Sequence, residues 1–136
     1  MWAFFDASAL IYLIEGREPF ASSVRDRLQR LAQQHSGLGV VLSRLTWLEC
    51  RAGPMRSHDA KTLQLYDAFF ARRDVRWVEL TRDVVELAAA VRARHGVRTP
   101  DALQAACCLQ LGAEHRLLTA DAGFERIEGL NVVTVG

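Results

Sequence analysis

Four acidic residues stand where their side chains could do chemistry together: Asp6, Glu49, Asp101 and Asp121. Asp6 follows directly on an apolar opening, in Phe5-Asp6-Ala7-Ser8, and Asp121 follows another strand-like segment, in Leu118-Thr119-Ala120-Asp121. Turn and N-cap chemistry also favours Asp just after a strand, so each has that second reading when taken alone. Glu49 has Leu45 and Ala52 at its i−4 and i+3 positions and Leu48 beside it, which puts it on or beside the apolar face of a helix. A carboxylate there must find a cation or become neutral. Arg44 or Arg51 is the alternative partner. Asp101 opens the most apolar helical stretch, Thr99-Pro100-Asp101-Ala102-Leu103. Asp in a first helical turn complements the macrodipole, as Asp83 does in Thr81-Arg82-Asp83. The helix after Asp83 has a polar face (Arg82, Glu86, Arg92), whereas the one after Asp101 has almost none. Asp101 is therefore expected to look into a crevice. Converging carboxylates repel one another unless protonated. One or two hard divalent cations with oxygen ligands, Mg²⁺ or Mn²⁺, resolve the conflict.

These acids must be positioned by a sheet. Five short segments read as strands: Met1–Phe5, Gly39–Leu42, Arg76–Leu80, Arg116–Thr119 and Val132–Val135. Most are continuously apolar, the pattern of strands buried on both faces of a parallel sheet. Between them lie helical periods at Ser8–Glu15, Phe20–Gln34, Leu45–Ala52, Ala60–Arg72, Val84–His95 and Asp101–Leu111. Gly16 and Gly112 sit at helix ends, Thr81 reads as an N-cap, and Thr99-Pro100 as N-cap and N1. Strands alternating with helices imply right-handed crossovers and a doubly wound α/β sandwich. Such sheets bind ligands outside the carboxyl ends of their strands, where the strand order reverses. Asp6 and Asp121 both fall on that edge.

Composition narrows the function. The chain has 136 residues, 50% hydrophobic, with a net charge of +1. That length suits one domain, and the balance excludes both a strongly basic nucleic-acid sponge and an acidic disordered tail. No apolar run reaches the roughly 18 residues of a membrane span. Met1 leads into an apolar stretch without a basic n-region, which argues against a secretory signal. Cys50, Cys107 and Cys108 offer neither a disulfide framework nor zinc spacing. His35, His58, His95 and His115 are isolated and expected at the surface. The expected setting is cytoplasmic. With the four acids set aside, 12 carboxylates face 17 basic residues, a balance of +5. A metal-filled acidic notch on such a body suits a phosphodiester. The one lysine, Lys61, lies mid-chain, and Ser8 stands two residues after Asp6. Both facts count against haloacid-dehalogenase-like phosphatases, and the lysine also against response-regulator receivers. No G-x-G-x-x-G follows the first strand, which removes dinucleotide binding. Phe69-Phe70 and Leu63-Leu65 are expected to form an exposed apolar face suited to self-association.

In this order the residues form a pattern. Phe5-Asp6-Ala7-Ser8 precedes the apolar helix Leu10–Ile14, and Ser43 is followed by Glu49 six positions on. Asp101-Ala102-Leu103-Gln104-Ala105 opens the central helix, and Leu117-Leu118-Thr119-Ala120-Asp121-Ala122-Gly123-Phe124 closes the set. Across its whole length the sequence resembles the PIN-domain ribonucleases, most closely the VapC-type toxins of bacterial toxin–antitoxin pairs. The resemblance implies a three-layer α/β/α sandwich with a mainly parallel five-stranded sheet over residues 1–136. It implies that Asp6, Glu49, Asp101 and Asp121 hold Mg²⁺ or Mn²⁺, with Ser8 and Thr119 as supporting hydroxyls. The implied activity is endonucleolytic cleavage of RNA, and the implied partners are a small VapB-like antitoxin and a second copy of the chain. Some relatives carry a further acid near the last one; here Ala122 and Gly123 stand there, so a second metal stays open. The alternative is a catalytically silent PIN-like module that binds RNA or a partner protein.

Overall fold

Strands β1 (Trp2–Phe5), β2 (Gly39–Ser43), β3 (Val75–Val78), β4 (His115–Thr119) and β5 (Val132–Thr134) make one sheet in the order β3-β2-β1-β4-β5. Every neighbouring pair is parallel. This computed structural model describes residues 1–136. The register is flush at the carboxyl edge: Phe5 pairs with both Leu42 and Leu118. Asp6, Ser43 and Thr119 therefore stand side by side where the chain leaves β1, β2 and β4. The strand order reverses between β1 and β4, which makes that junction the topological switch point.

Helices cover both faces. On one side α1 (Ala7–Glu15), α2 (Phe20–Gln34), α3 (Arg44–Arg56) and α4 (Ala60–Phe70) pack Leu10, Val24, Leu31, Cys50, Tyr66 and Phe70 onto Ala3, Phe5, Leu42 and Leu118. On the other, α5 (Arg82–His95) and α6 (Thr99–Leu109) pack Val84, Ala88, Val91 and Ala102–Cys108 onto Phe4, Val41 and Leu117. Alternate residues of each strand thus serve opposite layers, which is why the strands read as unbroken apolar runs. A short 3-10 turn, Ala122–Arg126, follows β4 and drops Phe124 into the second core.

The expected doubly wound sandwich is present, and its boundaries differ in instructive ways. α3 runs through Gly53-Pro54 to Arg56 rather than ending at Ala52. Pro54 sits inside that last turn and contributes no backbone N–H to it. α6 begins at Thr99, with Arg98 as an N-cap that offers no side-chain bond. The Thr99 hydroxyl instead accepts from Arg92 Nη1 at 2.9 Å, so it does not cap the helix. His115 is fully buried, contrary to the surface expectation. Its Nδ1 meets Gly112 O at 2.6 Å and its Nε2 accepts from Asn131 N at 3.0 Å, an arrangement that places the proton on Nδ1. Phe70 is also buried, between Tyr66 and Trp77, so the apolar face expected on α4 shrinks to Leu65 and part of Phe69 and Leu63.

Gly39 opens β2 directly beneath the Trp2 ring. A Cβ there would overlap Cζ3 and stand 2.6 Å from Cε3. We expect Gly39→Ala to destabilise the chain by about 1–3 kcal/mol, as overpacking does. Denaturant unfolding followed by tryptophan fluorescence reads this directly, and an unchanged midpoint would show that Trp2 swings aside freely.

Candidate active site

Asp6 is the centre of the switch point. It ends β1 in extended conformation and caps α1, its Oδ1 accepting from Ala9 N at 3.0 Å. The same oxygen accepts from Ser8 Oγ at 2.7 Å, and Oδ2 accepts from Thr119 Oγ1 at 2.6 Å. Each hydroxyl in turn accepts from the backbone beyond β4: Ser8 Oγ from Ala120 N and Thr119 Oγ1 from Asp121 N, both at 3.0 Å. Two hydroxyls thus clip Asp6 to the segment that carries Asp121. Asp6 is only 7% exposed. Burial raises its pKa despite the three hydrogen bonds that favour the charged form, and the charge of Asp101 adds to the rise.

Asp101 lies in the first turn of α6, with its side chain 28% exposed and Arg98 Nε at 3.9 Å. Burial and then Asp121 push its pKa up, against the pull of Arg98 and Arg126. Asp121 is exposed and caps the 3-10 turn, its Oδ1 accepting from Gly123 N at 2.8 Å. Capping and a place in the acid cluster are therefore compatible readings for Asp6 and Asp121 alike.

Glu49 departs from its expected placement. The buried residues of α3 are Thr46 and Cys50, and Leu48 and Glu49 are both exposed. Polar Thr46 holds the inward face because it is bonded across to α6, so a count of apolar neighbours misjudges the helix rotation. The Glu49 carboxylate is nevertheless shielded on its inner side. Its pKa is raised by burial and by the charges of Asp6 and Asp101, with the Gln104 amide opposing. Neither alternative cation serves it: Arg44 pairs with Glu79 and Arg51 with Asp67.

Gln104, one turn along α6 from Asp101, is a buried polar bridge beside the acids that sequence reasoning misses. It joins three elements. Its Oε1 accepts from Ser43 Oγ at 2.6 Å, and its Nε2 donates to Thr46 Oγ1 at 2.8 Å. Thr46 Oγ1 passes its own proton to Phe5 O at 3.2 Å. A clue lies in the sequence: Gln104 is the one strongly polar residue in Ala102–Leu109. Gln104→Leu would leave buried Ser43 and Thr46 short of partners, at a cost of about 1–3 kcal/mol. Urea unfolding at neutral pH checks it; full wild-type stability would mean the two hydroxyls re-pair locally.

The four acids thus gather on one edge: the charges of Asp6 and Asp101 raise the pKa of Glu49, that of Asp101 raises Asp6, and that of Asp121 raises Asp101. No basic side chain pairs with Asp6 or Glu49. As they stand, no three His, Cys, Asp or Glu side chains are drawn to ligating distance of one point. The donor set itself, all carboxylate and hydroxyl oxygen with negative charge that Arg98 offsets only at Asp101, fits a hard divalent cation better than a soft one.

Comparisons with known proteins bear on the family and the fold. A PIN domain model matches residues 3–130. No curated protein sequence matches. Among solved structures, the fold is similar to VapBC2 from Rickettsia felis bound to a promoter DNA fragment, with 16% identity, all of both chains covered and a TM-score of 0.80. A toxin–antitoxin complex from Klebsiella pneumoniae is 26% identical over 97% of this chain and 96% of that one, with a TM-score of 0.70. VapC20 of Mycobacterium tuberculosis, a toxin that cleaves the sarcin–ricin loop, is 18% identical over 95% and 98%, with a TM-score of 0.69. With a matching family model spanning nearly its full length and its acids gathered at the switch point of the sheet, the chain belongs to the PIN domain family.

Proposed function

We propose that residues 1–136 act as a divalent-metal-dependent endoribonuclease, the toxin of a type II toxin–antitoxin pair. The observation that carries this is the convergence of Asp6, Glu49, Asp101 and Asp121, with no basic partner on Asp6 or Glu49, at the β1/β4 junction of a PIN domain. The toxin–antitoxin relatives of the same fold support an inhibitory partner, and VapC20 supports RNA as the substrate class.

Asp6, Glu49, Asp101 and Asp121 would hold Mg²⁺ or Mn²⁺. A divalent ion held there supplies a more acidic water and charge neutralisation at a scissile phosphate. Ser8 and Thr119 keep both Asp6 oxygens aimed by donating to them. The Gln104 amide, on the α6 side, favours the charged form of Glu49. The buried His115 is committed to Gly112 and Asn131, and no pair of histidines sits in the notch to deprotonate a ribose 2′-hydroxyl. Hydrolysis at phosphorus by water then leaves 5′-phosphate and 3′-hydroxyl ends. Single-stranded or loop RNA is the substrate form that can be splayed into an open edge. No helix is long and apolar enough to cross a membrane, and the proposed setting is the cytoplasm. A small antitoxin would cover the groove, and a second copy of the chain completes a homodimer.

Inducible expression of wild type and Asp6→Asn, followed by mapping of RNA ends, tests the proposal. New 5′-phosphate ends with wild type alone are the expected result. Equal RNA profiles in both strains would contradict it and leave the silent binding module as the better description.

A further inference from the structure

Around Asp101 and Asp121 lies a cavity of about 240 Å³, lined also by Gly96–Arg98 and by Gly123, Phe124 and Arg126. Arg98 and Arg126 both line it, and the fold consumes neither. Seven other arginines are tied to carboxylates at 3.3 Å or less. Arg98, by contrast, approaches Asp101 only to 3.9 Å and leaves 86% of its side chain exposed, and Arg126 has no carboxylate partner. Both are near enough to the acid cluster for their charge to be felt at Asp101. The start of α6 adds positive potential in the same place, because Arg98 gives it no side-chain cap and the Thr99 hydroxyl is taken by Arg92.

The groove on the opposite flank has the other sign. It is lined by Glu49, Glu15 and Asp59, and its Arg17 is paired with Glu15. A strand cut at the acid cluster carries further phosphates on either side of the scissile one. On the Glu15 flank they meet carboxylates. On the α5–α6 flank they meet two guanidiniums, whose planar donors match phosphate oxygens.

We propose that Arg98 and Arg126 form a cradle for the backbone phosphate next to the one cut, and so fix on which flank single-stranded RNA continues past the acids. The position relative to the cut rests on the ribonuclease reading; the phosphate cradle does not. Both are binding residues: they hold the strand and take no part in bond breaking.

The test uses a labelled single-stranded RNA of mixed sequence. Anisotropy in EDTA, across a KCl series, measures binding without cleavage. Arg98→Gln/Arg126→Gln is expected to weaken binding several-fold and to reduce the slope of log K against log salt by about 0.7, the release from one phosphate on a single strand. Arg98→Lys/Arg126→Lys keeps the charge and is expected to keep the slope. A parallel cleavage assay in Mn²⁺ is expected to show a raised KM with kcat retained for the glutamine variant. Affinity and slope equal to wild type would overturn the cradle and leave the guanidiniums to an acidic protein partner. Binding that depends on the arginines, in a chain that never cuts, would support the cradle and overturn the ribonuclease reading. A wild-type chain that binds no RNA at any salt overturns the cradle, whatever the cleavage assay shows.

Discussion

Asp6→Asn is expected to cut RNA cleavage by at least about 10²–10³-fold, the scale seen when one preorganised electrostatic group is removed. The same change is expected to raise the stability of the metal-free chain at neutral pH. The fold tolerates asparagine well at this position. Asn is a favoured N-cap, and its Oδ1 can still accept from Ala9 N and Ser8 Oγ. Thr119 Oγ1 can accept from the new amide as well as from Asp121 N. What is lost is a buried charge that sits beside Asp101 and Glu49 with no cation to offset it. The sign follows from linkage. Asp6, Glu49 and Asp101 all have folded pKa values above their unfolded ones. Between those values the native chain holds more protons than the unfolded chain, so stability falls as pH rises through that window. The penalty is complete once pH exceeds the folded values. Thermal melts of wild type and Asp6→Asn in EDTA at pH 5 and pH 7.5 measure it. The wild type should lose more stability than the variant on going to the higher pH. A variant less stable than wild type at both values, with full cleavage activity, would remove Asp6 from the centre of the site.

The second large effect is the response to divalent cation. A site that binds Mn²⁺ or Mg²⁺ only when folded stabilises the chain by about 2.7 kcal/mol at a hundredfold excess over Kd. For a chain of this length that is a rise in Tm of roughly 10 °C. The gain should shrink as pH falls, because Asp6, Glu49 and Asp101 take up protons more readily than ordinary carboxylates and a protonated acid is a poor ligand. It should nearly vanish in Asp6→Asn and in Asp101→Asn. EDTA should abolish cleavage, and excess Mn²⁺ should restore it. A melting temperature indifferent to both ions at neutral pH would count against the carboxylates as a metal site.

Much of the fold and of the acid cluster is legible in the sequence, for local reasons. Asp6 and Asp121 follow strands of a parallel sheet, so chain direction alone puts them on one edge. Asp101 is marked by the apolar character of the helix it opens. The features that sequence does not reveal are those set by contacts across the fold. The orientation of Glu49 depends on Thr46, which faces inward only because Gln104 and Phe5 O are there to receive it. Gln104 looks like an interruption of an apolar helix until its two partners on β2 and α3 are in place. His115 reads as a surface residue in isolation, and it is buried because Gly112 O and Asn131 N satisfy both ring nitrogens. Thr99 next to Pro100 has the look of a cap, but Arg92 on the preceding helix claims its hydroxyl. Local propensity locates the elements; tertiary hydrogen bonds decide which way their polar side chains turn.

Diffraction from crystals of the wild-type chain soaked in Mn²⁺, recorded with anomalous signal, tests the metal centre most directly. One strong peak bonded to carboxylate oxygens of Asp6 and Asp101, within reach of Glu49 and Asp121, is the expected result. A peak held by other residues, or an acid cluster that stays empty while Mn²⁺ binds elsewhere, would contradict it.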